Sequence, residues 1–230
     1  MLGYGLDPTM IILIPAILLS MWAQSKVQST FNQYSRIPAR GGVTADSVAR
    51  MLLTLYGMSN MPINHVAGNL TDHYDPTKKT VNLSEDVYRM NSVAAAAVAA
   101  HECGHAVQHK VGYAPLRLRS ALVPTVNISS KLSMIVILIG LFVIHTFPAL
   151  FWIGIAMFAM VFLFSVITLP VEFNASKRAL AWLQSSNSLS TTEIAQAKEA
   201  LSWAASTYVV AALSSLASLL YYISLGNSRR

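Results

Sequence analysis

Residues 132–169 contain no Asp, Glu, Lys or Arg, and this stretch constrains the fold more than any other feature. It is longer than one buried core helix requires, whereas about 20 apolar residues cross a bilayer as a helix. Pro148 divides the stretch, so it reads as two membrane helices, residues 132–146 and 147–169, joined as a hairpin. Residues 9–23 form a shorter apolar segment interrupted by Pro15. Residues 203–225 form another, rich in Ala and Ser. There Ala211 and Ser215, or Ser214 and Ser218, have the small-x-x-x-small spacing that allows close helix contact. The expectation is a mainly α membrane protein with about four transmembrane helices. Only 11% of residues are charged, less than half of the roughly 25% usual in soluble domains.

Charge sets the expected orientation. Residues 1–8 and the hairpin tip carry no Lys or Arg. Lys26, Arg36 and Arg40 follow the first segment; Arg117, Arg119 and Lys131 precede the hairpin; Lys177 and Arg178 follow it. The positive-inside rule then places the N-terminus outside and the polar stretches 24–131 and 171–202 in the cytoplasm, with Arg229 and Arg230 pulling the other way. The net charge of +6 flanks apolar runs, which implies membrane lipid as a partner and no nucleic acid. No basic residue precedes the first segment, and no convincing small-x-small cleavage site follows it, so it is not read as a cleaved signal peptide. The single cysteine, Cys103, excludes an intramolecular disulfide framework and a thiolate-rich metal site.

Within the first polar stretch, residues 41–92 read as a small folded subdomain. Thr44 can cap a helix with Val48, Met51, Leu52 and Leu55 on one face, ending at Gly57. Residues 70–74 and 80–83 read as strands around a hairpin loop, Asp75-Pro76-Thr77-Lys78-Lys79, and Ser84 begins a further turn. Ser92 is the expected N-cap of a helix over residues 93–110, with Gly112 just beyond it.

That helix carries His101-Glu102-Cys103-Gly104-His105. Residues i and i+4 share a helix face one turn apart, so both imidazoles can reach one zinc ion. Glu102 lies where its carboxylate can take a proton from a zinc-activated water. Chance alone gives such a pattern in about one chain of this length in a hundred. A catalytic zinc needs a third protein ligand and an open position. His109 sits too far along the axis to join His101 on one ion. His145 lies at the far end of the hairpin, and Glu193 and Glu199 fall in a polar stretch expected to face solvent. Glu172, after Pro170 at the end of the third apolar run, remains as the metal ligand of choice. Asn174, Ser176 and Arg178 follow it and can hydrogen-bond the ligands. Cys103 points away from the two-histidine face.

Four strings then point to a family: residues 71–76 (TDHYDP), 83–88 (LSEDVY), 98–106 (VAAHECGHA) and 169–179 (LPVEFNASKRA). On these, the chain resembles the YugP family of bacterial membrane neutral zinc metallopeptidases over nearly its whole length. The resemblance implies a gluzincin-like site on a small α+β zincin-like subdomain, with two histidines from the active-site helix and Glu172 from a later one. Related glutamate zincins often carry Asp four residues after the third ligand, where this chain has Ser176. An edge strand upstream of the motif helix would take the substrate backbone, and residues 79–83 are the candidate. Arg178, Tyr208 and His73 are candidate oxyanion donors.

The resulting expectation is one membrane metallopeptidase domain over residues 1–230 with one Zn2+ per chain. It lies in a bacterial plasma membrane with its active site on the cytoplasmic side. It hydrolyses peptide bonds of membrane or membrane-proximal proteins, with Glu102 as general base. The alternatives are a non-catalytic zinc-binding membrane scaffold, which has no use for Glu102, and a zinc transporter, whose spans would need metal ligands where the apolar runs offer no acidic residue and only His145 at a margin.

Overall fold

A computed structural model describes residues 11–229. Six helices and three strands follow in the order α1 (Leu13–Tyr34), α2 (Ala45–Leu55), β1 (Ile63–Val66), β2 (His73–Asp75), β3 (Thr80–Ser84), α3 (Val93–Lys110), α4 (Ala114–Phe142), α5 (Pro148–Ser185) and α6 (Thr191–Ser228). The chain divides into two compact units. One holds the described residues through Gln24, Leu118–Leu169 and those from Thr207; the other holds Ser25–Arg117 and Pro170–Ser206.

The first unit is the apolar one. Among the described residues, three helices are long and apolar enough to cross a membrane: α4, α5 and α6. The first apolar segment forms the start of α1 and does not meet that measure; Thr9 and Met10, its first two residues, lie outside the described part. Side chains such as Ile135, Leu138, Ile153 and Leu163 are about half exposed, as a surface facing hydrocarbon requires. Gly140 and Gly154 let α4 and α5 meet closely, for a Cβ on Gly140 would lie 2.5 Å from the Phe151 backbone. Ile137, Ile144, Phe151 and Ile155 form a small core there. Ser214 places its hydroxyl 3.2 Å from that of Ser20, joining α6 to α1. The hairpin helices outrun their apolar runs: α4 starts at Ala114 and α5 continues to Ser185. Pro170 does not end α5 as a helix boundary would suggest.

The second unit is built around α3. Ser92 accepts a hydrogen bond from the Ala95 amide at 3.2 Å, capping the helix where the sequence places its start. Six alanines, Ala94–Ala97, Ala99 and Ala100, are fully buried, so neighbours approach on several sides. On α2 the buried face is Ala45, Val48, Ala49, Leu52 and Leu53. This corrects the expected stripe, since Met51 and Leu55 are 42% and 67% exposed. The small Ala45 and Ala49 suit the alanine surface of α3 better than the longer side chains would. Thr44 hydrogen-bonds Ser47 and makes no side-chain cap.

The sheet has the order β1-β3-β2, with β1 parallel and β2 antiparallel to β3. Strand β1 is absent from the sequence reading because Ile63-Asn64-His65-Val66 has no alternation of apolar residues. Its presence corrects the substrate-strand expectation. Residues 79–83 supply β3, which is central, buried along its length and paired on both sides, so it has no free edge. The free edges are β1, packed on α2, and β2, packed on α3.

Candidate metal centre

All the side chains of this site lie in the second unit. Helix α3 presents His101 and His105 one turn apart, their rings edge to face with centroids 4.8 Å apart. Helix α5 brings Glu172, 2% exposed, so that its Oε2 lies 3.3 Å from His101 Nε2 and 3.4 Å from His105 Nε2. One donor atom from each of the three falls within 4.8 Å of the other two. A tetrahedral zinc with donors at about 2.0–2.1 Å sets neighbouring donors about 3.3–3.4 Å apart. The two histidine–carboxylate separations match that edge, so these residues fit the ion.

Gly104 permits the convergence. A Cβ there would lie 2.8 Å from the Ala175 carbonyl oxygen and 3.2 Å from its Cα, closer than a side chain tolerates. With hydrogen in that place, the backbone of α3 reaches that of α5 between the two histidines. Glu102 is 8% exposed and lies between the ligands in the chain. Cys103 turns to the opposite side, fully buried, with its thiol 3.7 Å from the Ala49 carbonyl; burial pushes its pKa far up.

The histidine nitrogens that face away from Glu172 are both engaged. His101 Nδ1 lies 3.1 Å from Ser176 Oγ. His105 Nδ1 lies 3.0 Å from Gln108 Oε1. Gln108 is the residue that sequence reading missed. Its Nε2 donates to the Val171 carbonyl at 2.8 Å and to Asn174 Oδ1 at 3.0 Å, and Arg178 Nε donates to the same Oδ1 at 2.7 Å. Its spacing from His105 was a visible signal, since i+3 lies on a neighbouring helix face. Burial disfavours a charged His105, but the Glu172 hydrogen bond and the charges of Glu102 and Glu172 outweigh it, and its pKa is raised.

The other candidates lie elsewhere. His109 pairs with Tyr74, Nδ1 to hydroxyl 2.7 Å. His73, exposed on β2, spends its ring nitrogens on the Thr71 carbonyl and the Asn82 amide. Glu193 closes a capping box with Ser190 at the start of α6, and Glu199 accepts from the Tyr34 hydroxyl. Tyr208 and His145 belong to the first unit. Asp72 is held by the Ser84 amide and hydroxyl, each at 2.8 Å; burial raises its pKa despite those bonds.

The family model described as "Putative neutral zinc metallopeptidase" matches residues 9–227. The chain belongs to this family. A protein of Bacillus subtilis (strain 168) named "Putative membrane protease YugP" is 43% identical over 210 residues, covering 91% of this chain and 92% of that protein. No solved structure matches. The family description names zinc, and His101, His105 and Glu172 form a cluster that could hold a metal ion.

Proposed function

We propose that this family member is a zinc-dependent endopeptidase of the gluzincin type, acting on membrane or membrane-proximal proteins. The observation that carries it is Glu172 Oε2 set at tetrahedral-edge distance from both imidazoles of an HExxH helix. His101, His105 and Glu172 would hold one zinc, which polarises a peptide carbonyl and acidifies a water when bound. Glu102 then accepts the water's proton and delivers it to the leaving amine, the role its place beside the first ligand suits. A peptide aligns as an extended strand on the free edge of β2. That edge is tied to the ligand helix through the Tyr74–His109 pair. A cavity of about 360 Å³ lined by Met58, Met61, Tyr74, Lys79 and His109, among others, is suited to a substrate side chain. Of the three candidate oxyanion donors, Arg178 shares both unit and helix with Glu172.

We place the protein in a bacterial plasma membrane. The apolar start of α1, with Ile14, Ile17, Leu18, Met21 and Trp22 exposed, forms a fourth membrane element beside the three long helices. Lys and Arg distribution supports a cytoplasmic active site. The deciding experiment is Glu102→Gln. The variant keeps zinc at one ion per chain while proteolysis falls by about 10²–10⁴-fold, and native membranes carrying it retain uncut substrate for mass spectrometry. Proteolysis at the wild-type rate would overturn the reading.

A further inference from the structure

The two ligand histidines are held in different ways. His101 Nδ1 meets a serine hydroxyl, which can donate or accept, so that contact suits either ring tautomer. His105 Nδ1 meets a side-chain amide whose orientation is fixed by its other contacts.

Gln108 is fully buried, and a buried amide must place both N–H groups on acceptors. One goes to the Val171 carbonyl, which can only accept. The other goes to Asn174 Oδ1. The identity of that Asn174 atom is itself fixed, because Arg178 Nε, which can only donate, also points at it. Reversing either amide would set donor against donor or acceptor against acceptor. Gln108 therefore presents its oxygen to His105, and that oxygen can only accept. Nδ1 of His105 must therefore carry a hydrogen, which leaves Nε2, the atom 3.4 Å from Glu172, as the nitrogen that can bind a metal. Val171 and Asn174 bracket Glu172 in the chain, so the same amide also holds α5 in register with α3.

We infer that Gln108 is a positioning residue. With Asn174 and Arg178 it forms a one-way hydrogen-bond relay that keeps a hydrogen on His105 Nδ1 and so reserves Nε2 for the metal. This rests on the zinc reading for its purpose, while the Nδ1–H contact with Gln108 does not depend on a metal.

The test uses the full-length protein in detergent, with ¹⁵N-labelled histidine and zinc affinity measured by chelator competition. At a pH where the His105 ring is neutral, metal-free wild type shows a single Nδ1–H tautomer there. Gln108→Leu shows a mixed or Nε2–H ring and binds zinc about 10–100-fold more weakly. The paired variants Asn174→Asp and Asn174→Leu keep the idea testable if Gln108→Leu fails to fold. Aspartate accepts from both Gln108 and Arg178, so the relay keeps its direction and zinc affinity stays near wild type. Leucine breaks the relay and weakens zinc as Gln108→Leu does. An unchanged His105 tautomer in Gln108→Leu or Asn174→Leu, or equal damage from the two Asn174 variants, overturns the proposal. A wild type that binds no zinc but shows the fixed tautomer sinks the peptidase reading and leaves the relay standing.

Discussion

Gly104 and Asp72 each give a prediction that belongs to a single residue. At Gly104, alanine adds a methyl that meets the Ala175 backbone at 2.8 Å, and neither helix can yield by rotating a side chain. Gly104→Ala is expected to cost about 1–3 kcal/mol, read as a lower thermal midpoint in detergent, together with less than one zinc per chain as α5 moves off α3. Asp72 gives a pH signature. Its pKa is raised in the folded protein, so across the window from its unfolded to its folded value the native state holds the extra proton. Stability from this group is therefore present below that window and falls as pH rises through it. The thermal midpoint of wild type should drop relative to that of Asp72→Asn as pH rises through the carboxylate range. His101, His105 and Glu172 were legible in the sequence because helical spacing and a short list of remaining carboxylates name them. Of Gln108 only the spacing from His105 was visible; its partners Val171 and Asn174 lie on another helix, far along the chain, and no local pattern marks them.

At the scale of elements, the start of α3 was legible from its cap, whereas the buried face of α2 and the neighbours of β3 were not. Ser92 is both the expected and the observed cap of α3. The buried face of α2 was misread because large apolar residues were taken to mark the inside, whereas a neighbour made of alanines accepts Ala45 and Ala49 and leaves Met51 and Leu55 outside. The hairpin of β2 and β3 was legible from its turn residues, and Asp75 does receive the Thr77 and Lys78 amides. That β3 is covered on its other side by β1 depends on a parallel pairing across an intervening strand, which no turn signal records. The correction moves the expected substrate edge to β2. A photo-crosslinking residue in place of His73 should capture substrate held by a Glu102→Gln background, while the same residue in place of His65 on β1 should not; mass spectrometry of the adducts distinguishes them.

For the whole molecule, the apolar hairpin was legible from the missing charges of residues 132–169, but its helices extend past those residues. Hydropathy reports where water is excluded, not where backbone hydrogen bonding stops. Sidedness can be measured directly. Cys103 is the only cysteine, buried and with its thiol pKa far above the usual range, so it should not react with maleimides in the folded protein. A cysteine introduced at Lys78 should then label only after the membrane is made permeable, and one at Phe147 in intact cells. The reverse pattern would place the active site outside.

The chain order of the ligands also has a consequence in time. A ribosome completes His101 and His105 before the apolar hairpin and Glu172 only after it. A nascent or truncated chain that stops within residues 132–169 owns two of the three donors and a ready proton acceptor, but no complete cage. On the proposed zinc-peptidase reading, the chain would stay inert throughout the synthesis of its apolar hairpin and gain its third donor only once that hairpin has been made.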